Sequence, residues 1–376
     1  MKISRMARRG HRWRSRGCAS VFQGVHGMKT IDCDTHYWPV AFLDEVAHAA
    51  KGEIREVDNR TVAFYRDGRL IHRFKTTRWN LDERKKMMDQ EGFDIQVLIP
   101  DNRPFLYELD ADLGNAMARA FNDFAAEAVR NESRFVPVSW IYLPDMPNAV
   151  KELARSIEEL GIRAVKVTGG YADRDLDDPS MWPLFEVADH HNIPILVHPA
   201  ARAFEDQVAH PWLVGASRFE PMRFLSSCIG FPMTYMHTIT RLVFSGVMDR
   251  FPNLKFAFFE GGCGWVPFLM RQLDMETEHR SYAEYEQAAG IKLQRKPSEY
   301  FDRFYVAAIS YEQYLANTAA EWPNHRIVIG SDFDHGDPIA TWPHTVTDVR
   351  ELNGLTQQDQ ERILGGNAAD LLGIAA

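Results

Sequence analysis

Eight short apolar runs recur along the chain, separated by stretches in which apolar residues return every three or four positions. The runs fall at residues 30–36, 95–99, 135–142, 164–168, 193–198, 254–260, 304–309 and 326–332. Runs of this length with little polar alternation suit strands covered on both faces, as in a parallel sheet. The intervening periods predict helices over 81–90, 112–131, 148–160, 183–191, 220–228, 232–250, 264–278, 310–321, 346–352 and 357–372. Asn80 is placed to cap the first of these helices, and Gly161 to end the third. Eight strands alternating with helices predict an α/β fold, a (β/α)8 barrel of TIM type. A doubly wound open sheet is the rival. The lack of a Gly-x-Gly-x-x-Gly after the first run counts against its dinucleotide-binding form.

Three segments depart from the alternation. Between the first run and residue 80 there is no helical period, but 61–65 and 69–74 flank Asp67-Gly68, a hairpin signal. This reads as a flap inserted after strand one. Residues 199–253 read as a long helical connection after strand five, and 280–303 as a polar segment leading to strand seven.

Composition narrows the class. The chain has 376 residues, 45% hydrophobic, enough for one large core. No apolar run approaches the roughly eighteen residues of a membrane span. Residues 1–27 hold seven basic side chains and no acid, and read as a basic, disordered leader ahead of a single domain over 28–376. Without those seven, 36 basic residues face 52 acidic ones, a net of −16, which argues against a nucleic-acid partner. The leader lacks the apolar core of a secretory signal. Four scattered cysteines with no Cys-x-x-Cys pair fit a reducing, cytoplasmic setting.

In such a barrel the chemistry lies at the carboxyl ends of the strands. Asp34 and His36 end the first run two residues apart, so both side chains can aim at one point. His198 ends the fifth run, Glu260 the sixth and Asp332 the eighth. Carboxylates and imidazoles at several strand ends are the donor set of a divalent-metal site, with Asp34, His36, His198, Asp332 and Glu260 as candidate ligands. Each alone has a plainer reading; Glu260 could cap the helix that starts near Gly264. Lys166, on strand four, reads as a partner for buried carboxylates, with a carbamylated bridge between two metals as the rival. His237 is a candidate catalytic group on the strand-five connection. His335, Arg202 and Trp38 are candidate substrate contacts, with Arg223 an equal of Arg202.

The segments Ile31-Asp32-Cys33-Asp34-Thr35-His36, Ile195-Leu196-Val197-His198-Pro199, Gly246-Val247-Met248-Asp249-Arg250-Phe251-Pro252-Asn253-Leu254-Lys255, Glu260-Gly261-Gly262, Ile329-Gly330-Ser331-Asp332-Phe333 and Ile363-Leu364-Gly365-Gly366-Asn367-Ala368-Ala369 follow one another in that order. Together they resemble the amidohydrolase-related branch of the amidohydrolase superfamily, which includes metal-dependent decarboxylases of aromatic and muconate-type acids. The resemblance implies a barrel with one or two divalent metals, Asp332 as metal-linked general base, a small-molecule substrate and a homodimer. The family's first motif is usually His-x-His or Glu-x-His, so Asp34 is a departure. Many members end strand six in an acid/base histidine, where this chain has Glu260.

The leading expectation is a metal-dependent hydrolase or non-oxidative decarboxylase acting on a small, carboxylated or aromatic compound. Asp332 or Glu260 would move the proton, and Zn, Mn or Fe would suit the ligands. A non-haem iron oxygenase, one metal or two, is the first alternative, and a non-catalytic ligand-binding barrel the second.

Overall fold

The computed structural model describes residues 28–49, 51–101, 109–171, 174–199, 226–309, 312–334 and 343–375. The basic leader, Arg202, Arg223, His335 and most of the helix expected at 220–228 lie outside the described residues.

Eight parallel strands form the centre: β1 (Ile31–Tyr37), β2 (Ile95–Pro100), β3 (Phe135–Pro137), β4 (Val165–Val167), β5 (Pro194–Val197), β6 (Lys255–Phe258), β7 (Phe304–Ala308) and β8 (Ile327–Ile329). They pair as β1-β2-β3 and as β4-β5-β6-β7-β8. Two bridges join the sets. Thr35 pairs with Phe333 beyond β8, and Ser139, beyond β3, pairs with Val165. At the first seam His36 N donates to Phe333 O at 2.9 Å and Asp332 N to Asp34 O at 3.0 Å. At the second, Ser139 N donates to Ala164 O at 2.8 Å and Lys166 N to Ser139 O at 3.1 Å. The ring is therefore closed, as a barrel requires.

Alternation along each strand sorts the side chains into two apolar layers. Ile31, Cys33, Val97, Ile99, Ala164, Leu196, Ala257, Ala307 and Val328 face one another inside. Val165, Val167, Ile195, Val197, Phe256, Phe258, Val306 and Ile329 face the helices outside. The last helix, Asn367–Leu372, joins the inner layer through Ala368, Ala369, Leu371 and Leu372 and plugs the end where the strands begin. The approach is close, since a Cβ on Gly365 would fall 1.8 Å from Lys29 O. The other end carries the strand termini.

Several boundaries differ from expectation for identifiable reasons. Strand three pairs only over Phe135–Pro137, because Pro137 has no N–H for the ladder. A helix at Val40–Ala49 fills part of the segment expected to lack one. The hairpin there gains a third antiparallel strand, giving Gly52–Asp58, Thr61–Arg66 and Arg69–Lys75. The helix expected over 232–250 breaks into Phe231–Phe244 and Val247–Arg250 at Gly246, whose φ is 76°. The polar segment contains a helix, Arg280–Ala289, started by the His279 ring accepting from Ser281 N and held by Tyr282 and Tyr285 against Phe244.

Candidate metal centre

A defect in β1 aims the first ligands. Its register with β2 slips between Asp32 and Thr35. Ile31 and Cys33 face the inner layer, and after the slip Asp34 and His36 turn inward too. Thr35 points the other way and donates to Val97 O at 2.7 Å. A bulge re-aiming side chains at a barrel rim is a recurrent device near active sites. Asp32 locks the neighbouring turn by accepting from Ser331 N at 2.9 Å, Ser331 Oγ at 2.6 Å and Gln96 Nε2 at 3.2 Å. Burial raises the Asp32 pKa to about 7, although the bonds from Ser331 oppose this. Gly330 is required because a Cβ there would stand 2.4 Å from Asp34 Cβ. Arg84, fully buried, holds the far side of β1 through Thr77 O, Thr35 Oγ1 and His36 O.

Five side chains converge inside the mouth. His36 Nε2 lies 3.1 Å from Asp332 Oδ1 and 3.6 Å from Glu260 Oε1. His198 Nε2 lies 3.0 Å from Glu260 Oε1 and 3.6 Å from Asp34 Oδ1. The two imidazoles meet edge to face with centroids 4.9 Å apart. Asp34, His36 and His198 form one group with ligand atoms within 4.8 Å of each other, and His36, Glu260 and Asp332 form a second that shares His36. His198 Nδ1 donates to Pro199 O at 3.0 Å, which leaves Nε2 of the neutral ring as the inward lone pair. Glu260 and Asp332 both sit at strand ends with φ of 60° and 53°. Non-glycine residues held in the left-handed region store strain, typically of order 1 kcal/mol or more, and cluster at functional sites.

Among the described residues of the cluster the charges do not balance. Buried Asp34 and Asp332 and the less deeply buried Glu260 face two imidazoles, and like charges this close are favoured when positive charge is supplied. Burial opposes charge on His198, but Glu260 and Asp34 outweigh it and raise its pKa to about 10. Asp34 Oδ1 is buried with no hydrogen bond. Mixed imidazole and carboxylate donors, an unsatisfied buried carboxylate oxygen and a cluster that captures a proton all fit a divalent cation.

A second tier surrounds the cluster. Arg78, 3% exposed, lies 3.0 Å from Asp101 Oδ2 through Nη1 and 3.0 Å from Asp334 Oδ1 through Nε. Lys166 is buried on the inner row of β4, two residues above Ala164. Burial pushes its ammonium down to about 7, against Asp101 and Glu260. Sequence reasoning missed Arg78, Asp101 and Asp334. Asp101 directly follows β2, so the strand-end rule could have found it; nothing local marks Arg78.

Two candidates sit elsewhere. Trp38, expected to touch substrate, is 2% exposed and packs on Phe42, Phe121 and Trp140, so it belongs to the aromatic core. His237, expected to be catalytic, lies in neither ligand group. Its Nε2 is 3.2 Å from Asp175 Oδ1, on a carboxylate also held by Arg241 one turn along the same helix.

The family model for amidohydrolases matches residues 31–374. This chain belongs to that family. It is 27% identical over 313 residues to the 2-amino-3-carboxymuconate-6-semialdehyde decarboxylase of Dictyostelium discoideum, covering 82% of this chain and 80% of the relative. It is 28% identical over 309 residues to the gamma-resorcylate decarboxylase of a Polaromonas species, covering 77% and 86%. A dihydroxybenzoic acid decarboxylase from Polaromonas, solved with manganese and 2-nitroresorcinol, superposes with a TM-score of 0.65 at 21% identity, over 92% of this amidohydrolase and 97% of that chain. That likeness shows the fold. No described helix of this amidohydrolase is long and apolar enough to cross a membrane.

Proposed function

We propose that this amidohydrolase is a metal-dependent, non-oxidative decarboxylase of a small aromatic or muconate-type acid. The observation that carries the reading is the pair of ligand groups joined through His36. The relatives add the reaction class, since those named above are decarboxylases. Asp34, His36, His198 and Asp332 would hold the ion, and Glu260 faces it from β6. A divalent cation bound there would fix the substrate's anionic oxygens and withdraw charge from the ring or diene.

The chain's own residues then have distinct tasks. Loss of CO2 leaves an electron pair on carbon that must receive one proton. Glu260 stands where it can deliver that proton, on the side of His198 away from Pro199. Asp332 Oδ1 lies 3.1 Å from His36 Nε2, so the two would face the same ion. The inner layer beneath Leu196 and Ala257 excludes water from the floor. We read the three-stranded antiparallel sheet as a wall of the mouth. Its exit carries Lys75, which donates to Asp334 O at 2.8 Å, and Arg78, which meets Asp101 and Asp334. A homodimer remains part of the proposal on resemblance alone.

The test is CO2 release from ortho-hydroxybenzoates and carboxymuconate-type acids by manganese-loaded protein, run with and without oxygen. Equal CO2 release in both atmospheres supports the reading. Oxygen consumption matched to turnover would replace it with an oxygenase, and release of an amine or alcohol without CO2 would replace it with a hydrolase.

A further inference from the structure

Lys166 is a buried charged group of the barrel interior that the mechanism above leaves idle. It lies on β4, on the inward row that begins with Ala164 and continues to Thr168. Its neighbour in register is Leu196 on β5, two residues before His198. The side chain is 1% exposed, and its Nζ has no hydrogen-bond partner. A buried ammonium or amine without a partner is costly, and native structures keep such groups where something else binds them. The acids around it are already engaged: Asp101 accepts from Arg78 Nη1, and Glu260 lies against both imidazoles. Lys166 therefore has donors to offer at the level of the metal cluster, on the side of the mouth closed by β4.

We propose that Lys166 is a substrate-binding residue that selects anionic substrates, with its Nζ donating to a carboxylate or phenolate oxygen held beside the metal centre. This rests on the decarboxylase reading for the choice of anion and deepens it. A point charge on a flexible stem suits an anion whose position is set mainly by other contacts. The metal cluster and Lys166 lie on different strands, so they would grip different oxygens of one substrate. Neutral phenols would lack the second grip. The inference differs from a carbamylated lysine, which would be a metal ligand and would carry the opposite charge.

The test uses the full chain loaded with manganese, as wild type, Lys166→Met and Lys166→Arg. Calorimetry measures binding of 2,6-dihydroxybenzoate and of the neutral analogue resorcinol, and elemental analysis measures manganese. Losing one charge-assisted hydrogen bond predicts about 30-fold weaker carboxylate binding in Lys166→Met. Resorcinol binding is to change less than threefold, manganese content is to hold, and Lys166→Arg is to recover part of the loss. Equal weakening for both ligands, or none for either, overturns the proposal. So does loss of manganese in Lys166→Met together with a carbamate signal after 13C-bicarbonate labelling of wild type. If wild type binds the carboxylate through Lys166 but releases no CO2 from any acid, the decarboxylase reading falls and this one stands. If wild type releases CO2 and Lys166→Met keeps its affinity, this one falls alone. If wild type binds no carboxylate, both fall.

Discussion

The barrel interior has two halves built on the same strands. The half nearer the strand starts is lined by Ile31, Cys33, Ala164, Leu196, Ala257 and Val328, with the C-terminal helix as a plug. The half nearer the strand ends holds Asp34, His36, Lys166, His198, Glu260 and Asp332. Nearly all of these side chains are buried to a similar extent, so burial does not distinguish the halves. Satisfaction does. The lower residues gain from leaving water and from packing. The upper ones lose hydration, repel one another in part, and leave atoms such as Asp34 Oδ1 and Lys166 Nζ unbonded. Their arrangement makes sense as a place for an ion and an anionic ligand rather than as a source of stability.

The largest expected effect is in the upper half. His198→Ala or Asp332→Ala should remove the bound metal and lower turnover by about a thousandfold or more, read by elemental analysis and CO2 release. Gly330→Ala should come next. Its Cβ would collide with Asp34, so metal affinity should fall about tenfold and stability by about 1–3 kcal/mol, checked by calorimetric titration and denaturant unfolding. The lower half should respond in the opposite sense. Leu196→Ala should cost about 2–5 kcal/mol in unfolding while manganese affinity changes little. Asp34→Asn should raise the melting temperature of metal-free protein, because it removes an unbalanced buried charge, and should weaken metal binding.

The smallest effect concerns pH. Glu91 sits at the end of the helix Leu81–Glu91, and burial raises its pKa to about 7. A carboxyl with a raised native pKa binds more protons folded than unfolded, so its stabilising share is present below its unfolded value of 4.5 and is lost as pH rises through 7. Glu91→Gln should therefore raise the melting temperature at pH 8 and leave it nearly unchanged at pH 4. A rise of equal size at both would show that packing, not ionisation, is responsible.

Much of this was legible in the residues. Apolar runs mark buried parallel strands, and the strand-end rule led to Asp34, His36, His198, Glu260 and Asp332 without knowledge of the fold's closure. What stayed hidden depends on long-range geometry. The slip in β1 that turns Asp34 inward leaves no local signature. Arg78 enters from a turn beyond the antiparallel strands and finds Asp101 and Asp334 only through tertiary packing. Trp38 misled because an aromatic next to a strand end serves equally as core, and here Phe42, Phe121 and Trp140 claim it. The pairing of His237 with Asp175, 62 residues away, likewise comes from tertiary packing and leaves no mark in the local sequence. The helix at Arg280–Ala289 escaped because its apolar face is two tyrosines wide.

The most direct test is the metal content of protein produced in manganese-supplemented medium, gel-filtered to remove loose ions, with His198→Ala beside it. A buried cluster that needs positive charge predicts about one ion per chain, or two if both ligand groups fill, and close to none in the variant. Wild type emerging without metal, or a variant that retains it in full, would contradict the claim that these strand ends form a cation site.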